Sequence, residues 1–317
     1  MIFKFFIIFL LIPILSHSST DFSGNPIIIN QRTADASPQV WSDGKLWIYT
    51  SGDYEFATNY SKMDHYKCYS TTNMVDWEYH GIILSAKDLI WGNPNEGFMF
   101  APDAAYKNGK YYLYFPHRPV NGKGWKVGVA ISDKPEGPFI DIGKPIDGPD
   151  HIDPMCFIDD NDEAYLYWGF GRPGTPYVAK LKKNMIELAE QPKVVDYGSN
   201  DFFEAAFLHK YKNKYYFSYN QFGTSKACYG IGGSPYGPFK NMGVFADAPS
   251  GAQSHPGIIS YKDQWYYFYH RGDYTLNNIN GSLYRRNICI EYLYYDENDF
   301  IKKIKYSKRG VKKLSIK

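Results

Sequence analysis

Several things are scarce in this chain. Its 317 residues include only 4 cysteines, Cys68, Cys156, Cys228 and Cys289, and no two of them form a CxxC pair. That argues against a thiolate metal site. An excess of one charge is also missing. Lys and Arg number 35 against 33 Asp and Glu, for a formal net charge of +2. Nothing electrostatic recommends a nucleic acid as partner. Helical periodicity is nearly absent, and the one modest candidate, Lys180 to Glu190, reads equally well as a loop. Past the first residues there is no apolar run long enough to cross a membrane.

The single apolar run is Phe5 to Leu15. It follows Lys4, contains Pro13 and precedes Ser16-His17-Ser18. A positive start, a short apolar centre and small residues after it are the marks of a secretory signal peptide. The run is too short for a membrane anchor. The expected layout is therefore a signal peptide at residues 1–18 and one large domain over 19–317, exported from the cell. Export permits disulfides, but sequence does not pair these cysteines. Cys156 lies in an apolar strand and is expected as a buried thiol. The sequons Asn59-Tyr60-Ser61 and Asn280-Gly281-Ser282 agree with export.

What the chain has in quantity is aromatic residues, with 30 Tyr, 21 Phe and 7 Trp. Most fall in a repeated pattern. Ile152 to Gly169 reads as two strands joined by the polar turn Asp159-Asp160-Asn161-Asp162. Copies start near Ser37, Ala101, Glu204 and His255. Aligning Pro38, Pro102, Pro154, Ala205 and Pro256 gives steps of 64, 52, 51 and 51 residues. A second recurrence supports the first: Lys134-Pro135-Glu136-Gly137-Pro138-Phe139 is matched by Ser234-Pro235-Tyr236-Gly237-Pro238-Phe239. Hairpins repeated at this period signal propeller blades, so the fold class is all-β, a five-bladed β-propeller. The basic tail from Lys302 to Lys317 reads as a solvated end.

In a propeller the first strand of each blade lines a central channel. Asp35, Asp153, Glu204 and His255 stand at or near the starts of those strands in four of the five repeats. They would meet at one channel mouth. Crowded carboxyls raise one another's pKa, so that one stays protonated near neutrality while another is ionised. Other acids, Asp43, Asp133, Asp159, Asp160, Asp162 and Asp263, are read as turn formers. Asp103, one position after Pro102, is a lesser candidate because strand alternation turns it away. A pair of carboxyls is the equipment of glycoside hydrolysis. Aromatic faces suit sugar rings.

The stretches TADASPQVWSDGKLWIY, FAPDAAYKNGKYYLYF, HIDPMCFIDDNDEAYLYWG, FFEAAFLHKYKNKYYFSY, SHPGIISYKDQWYYFYH and YRRNICIEYLYY, in this order, resemble glycoside hydrolase family 43 from about Asn25 to Ile301. The resemblance implies an inverting five-bladed propeller acting on plant-type polysaccharides or oligosaccharides. α-L-Arabinofuranosidase or β-xylosidase activity is expected, with endo-arabinanase the lesser expectation. It implies Asp35 as general base, Glu204 as general acid and Asp153 as the residue that raises and positions that acid. It implies His255 and Arg286 near the substrate, with Arg285 leaving the register of Arg286 open. Asp103 is carried as a third substrate-side candidate. No cofactor is required; a structural Ca²⁺ at His255 is the metal option. Trp41, Trp91 and Phe100 are candidates for an aromatic pocket floor. The alternatives are a non-catalytic carbohydrate-binding propeller, a retaining propeller acting on fructan or sucrose, and a protein-interaction scaffold. Oligomeric state is not readable.

Overall fold

The structure is a computed structural model that describes residues 21–315. The signal-peptide expectation at residues 1–18 lies outside the described residues. Five antiparallel sheets are arranged as the blades of a propeller. From the inside outwards, blade one is Ala34–Val40, Leu46–Ser51, His65–Thr71 and Glu78–Ser85. Blade two is Asp103–Lys107, Lys110–His117, Lys126–Ser132 and Ile140–Asp141. Blade three is Met155–Ile158, Ala164–Gly171, Gly174–Lys180 and Lys193–Val194. Blade four is Phe202–Tyr211, Lys214–Gln221, Ala227–Gly232 and Phe239–Ala246. Blade five has three strands, Gly257–Tyr261, Gln264–Arg271 and Asn287–Leu293.

Each hairpin read from the repeat forms the two inner strands of a blade. The inner strands touch their neighbours in sequence, and that of blade five touches that of blade one, which closes the ring. The blades are glued by aromatic and aliphatic side chains. Tyr66, Leu84, Trp91 and Phe115 pack between blades one and two. Tyr114, Val129, Leu166 and Trp168 fill the space between blades two and three. Each such side chain, fully buried, contributes about 1.5–3 kcal/mol. Polar ends of the tyrosines find carbonyls across the seams. Tyr49 of blade one donates to the Pro135 carbonyl at 2.8 Å, and Tyr167 of blade three donates to the Pro235 carbonyl. The recurring Gly-Pro-Phe turn is therefore a blade-to-blade clasp, used twice.

One open reading is settled and two change. Lys180 to Glu190 is no helix: Lys182 N–H donates to the Glu187 carbonyl and Ala189 N–H to the Lys180 carbonyl, the bonds of a folded-back loop. Asp159 is more than a turn former, since its buried carboxylate accepts from Lys210 at 2.8 Å and Tyr215 at 2.5 Å. The basic tail is not a solvated end. Ile304 and Val311 are buried between its lysines. Backbone N–H groups of Lys312, Lys313 and Leu314 donate to Tyr292, Asp21 and Asn73. Near the other terminus, Ser23 and Gly24 donate to the carbonyls of Val311 and Arg309, and Ile27 donates to Ile288 on the outer strand of blade five. All four cysteines are buried and unpaired, including Cys156.

Candidate active site

The functional side chains stand where the inner strands are least regular. Asp35, Asp153, Ala205 and His255 have φ of 52°, 56°, 61° and 44°. Left-handed backbone is uncommon for residues with a Cβ, and such strain gathers at functional sites. Ala205, not Glu204, takes the backbone place of Asp153 and His255, so the repeat alignment is off by one residue in blade four. The reason is a bulge: strand register slips on both sides of Glu204. A second slip, between Ala34 and Ser37, spans Asp35. Bulges re-aim side chains, and here they turn two acids into the channel mouth.

Asp35, Asp153, Glu204, His255 and Arg286 all line one cavity of about 290 Å³. Asp35 Oδ1 accepts from Arg286 Nη1 at 2.9 Å and lies 3.7 Å from His255 Nδ1. Asp153 Oδ2 accepts the Ala205 N–H at 2.9 Å, so it grips the strand that carries Glu204. It lies 4.0 Å from His255 Nδ1. Arg286 is itself locked: Nε and Nη2 reach the two carboxylate oxygens of Asp53 at 2.9 Å, and its backbone N–H reaches Asp53 at 2.8 Å. A bidentate grip of this kind fixes the guanidinium plane. The register question resolves in favour of Arg286, because Arg285 turns away to the carbonyls of Ala57 and Asn280.

Asp103 is not brought into this cavity. Its carboxylate is used up by Ser37 Oγ at 2.6 Å and the Cys156 N–H at 2.7 Å. It faces a small void of about 20 Å³ that Asp153 and His255 also line. Trp41 and Trp91 do not reach the cavity either; Trp41 packs on Tyr49 and Tyr111, and Trp91 stacks on Phe115. Phe100 does line it. Sequence reading missed Asp53 and His270. Asp53 follows an inner hairpin and holds Arg286. His270 Nδ1 accepts the Asp35 N–H at 3.2 Å from within the second strand of blade five. It also missed the loop residues Tyr60, Phe98, Trp125, Arg118, Arg172 and Gln253 and the strand residues Phe170 and Phe203, which form much of the wall.

The electrostatics separate the acids. Burial alone would raise Asp35, but Arg286, then His255 and His270, outweigh it and hold that carboxyl well below the usual range. Burial pushes Glu204 up to about 7, with Asp35 adding to the rise and Arg286 opposing it. Burial, then repulsion from Glu204 and Asp35, holds Asp153 well above the carboxylate range. Burial also lowers His255, and lowers His270 further, so both imidazoles are neutral near pH 7. The site thus sets one carboxyl low and two high, so that a carboxylate faces carboxyls that keep their protons up to about neutrality, the acid–base split that hydrolysis of an acetal needs.

The family model of glycosyl hydrolases family 43 matches residues 23–301. The chain belongs to this family. A xylosidase/arabinosidase 43A of Humicola insolens is 35% identical, with 86% of this chain and 97% of that protein covered. A β-xylosidase of Xylanibacter ruminicola is 33% identical, over 86% of this chain and 96% of that one. In structure, the chain is similar to a GH43 β-xylosidase/α-arabinofuranosidase from a compost microbial metagenome, solved with xylotriose in a calcium-free form. The TM-score is 0.82 at 31% identity, with 90% of this chain and 98% of that chain covered. That relative raises the question of calcium in this family 43 chain. Calcium takes six to eight oxygen ligands. Among the described residues no group of three or more His, Cys, Asp or Glu side chains is arranged to hold a metal ion. His255 would offer one nitrogen, a poor match for a cation that prefers oxygen.

Proposed function

We propose that this chain hydrolyses arabinofuranosyl or xylosyl linkages of plant-type oligosaccharides and polysaccharides, with inversion at the anomeric carbon, outside the cell. The observation that carries the chemistry is the convergence of Asp35, Asp153 and Glu204 from three blades on one cavity, where Arg286 holds Asp35 low and burial raises the other two. In this reading Glu204 gives its proton to the leaving glycosidic oxygen as that bond breaks. A water attacks the anomeric carbon from the opposite face and gives its proton to Asp35. Asp153 keeps a proton in the buried pair and holds the Glu204 strand through Ala205. Arg286 fixes the Asp35 carboxylate, and His270 holds the Asp35 backbone N–H. The pentose preference rests on the relatives named above, and export rests on the leader-like residues 1–18. A cavity of this modest volume favours removal of single sugars over cleavage within a long groove.

The test is hydrolysis of aryl α-L-arabinofuranoside and aryl β-D-xyloside, followed by NMR from the first turnovers. The expected first product is the sugar of opposite anomeric configuration. A first product of retained configuration would overturn inversion, and folded protein inert on these substrates and on arabinan oligomers would favour a binding module. The proton arrangement adds a second expectation. Glu204 is raised, so its proton is present at low pH and is lost as pH rises through about 7. Asp35 is lowered, so it stays ionised down to well below the usual carboxylate range. The pH profile of kcat/KM should therefore be flat on the acid side of neutrality. Above about 7 it should fall about tenfold per unit.

A further inference from the structure

Among the described residues Arg172 has no carboxylate and no carbonyl to hold. It follows the second strand of blade three and is exposed, and its guanidinium lies 5.6 Å from the centre of the Phe203 ring. Phe203 in turn packs on Phe170 at 5.5 Å. All three line the cavity, and Phe203 directly precedes Glu204. A guanidinium stacked on an aromatic face keeps its five N–H donors in one plane, free for a ligand. After the second strand of the neighbouring blade two, Arg118 sits 4.6 Å over Phe98 and 4.9 Å over Trp125. Arg118, however, has Glu96 at 3.9 Å. That contact is a counter-charge rather than a hydrogen bond, and among the described residues Arg172 has no such counter-charge.

If Glu204 protonates the leaving oxygen, the departing sugar must lie on its side of the cavity. The geometry points to Arg172, with Phe203 and Phe170 beneath it, as the subsite for the leaving sugar. Its guanidinium would bind ring hydroxyls of a pentopyranose, and the aromatic pair would carry the apolar face. This rests on the reading of Glu204 as the acid. The groups facing Glu204 are Asp35, Asp153, Arg286, Arg172, Tyr60 and Asn220, and Arg172 is among the cations that hold its pKa down.

The experiment compares xylobiose and arabinose-substituted xylo-oligosaccharides with an aryl glycoside, which has no second sugar to bind. For Arg172→Ala, the ratio of kcat/KM on oligosaccharide to that on aryl glycoside should fall about tenfold, and the alkaline limb should move to higher pH. Arg172→Lys keeps the charge but loses the planar fork. It should leave the limb near wild type while the ratio still falls. An unchanged ratio in Arg172→Ala overturns the subsite. An unmoved limb also overturns it, because the guanidinium would then lie away from Glu204. Wild-type protein inert on every substrate is a different result: it removes the hydrolase reading, and the subsite falls with it. Among the described residues Arg172 makes no hydrogen bond, so both variants should fold as the wild type does.

Discussion

Glu204→Gln should lose about 10²–10⁴-fold in kcat/KM on oligosaccharides, the usual scale of general acid catalysis. On aryl glycosides with a strongly acidic phenol the loss should be much smaller, because such a leaving group departs without a proton. The glutamine keeps the size of the side chain on its bulge and removes the proton. The alkaline limb of the pH profile should vanish with it, since the group that titrates at about 7 is gone. Initial rates across a series of aryl leaving groups measure this directly. A loss of the same size on every leaving group would show that Glu204 is not the proton donor.

Asp35→Asn should abolish turnover on all of those substrates. A better leaving group does not replace the base that takes a proton from water. The loss should exceed 10²-fold throughout and show no dependence on the phenol. The fold should survive. Removing one partner of a buried ion pair is costly when the other is left alone, but Arg286 keeps its bidentate grip on Asp53. The asparagine retains an oxygen for Arg286 Nη1 and a backbone N–H for His270. Thermal unfolding of the purified variant, set beside its rates, separates lost chemistry from lost structure. Activity that persists on activated substrates would overturn Asp35 as the base.

The repeat made the fold legible. Alternating aromatic strands and polar turns specify hairpins, and their spacing specifies blades, so the five inner hairpins and the recurring Gly-Pro-Phe turn could be read in advance. The converging acids were legible for the same reason. Details set by backbone irregularity were not. The bulge at Glu204 changes which residue matches Asp153, and no side-chain pattern announces it. Trp41 and Trp91 drew notice as large aromatics, yet blade seams need such residues more than the pocket does. Much of the pocket wall comes from loops, most of them within a blade, that join one strand to the next. Tyr60, Phe98, Trp125 and Arg172 lie outside the repeated pattern, and only the folded ring places them together. The tail was misread because its lysines outnumber Ile304 and Val311 in sequence, while the burial of those two decides where it lies.

The ring is closed by packing and hydrogen bonds at the junction of blades one and five, where both ends of the described chain lie. Arg286 enters from blade five, while Asp35 and Asp53 belong to blade one. The ion pairs that hold Asp35, the proposed base, therefore straddle the one junction that no continuous polypeptide crosses as an ordinary blade-to-blade link. Parting that junction by a few ångströms would leave four of the five blade contacts whole, yet it would strip Asp35 of its counter-charge. Catalysis in this molecule doubles as a gauge of ring closure: it would fall silent at the first breach, before any blade unravels.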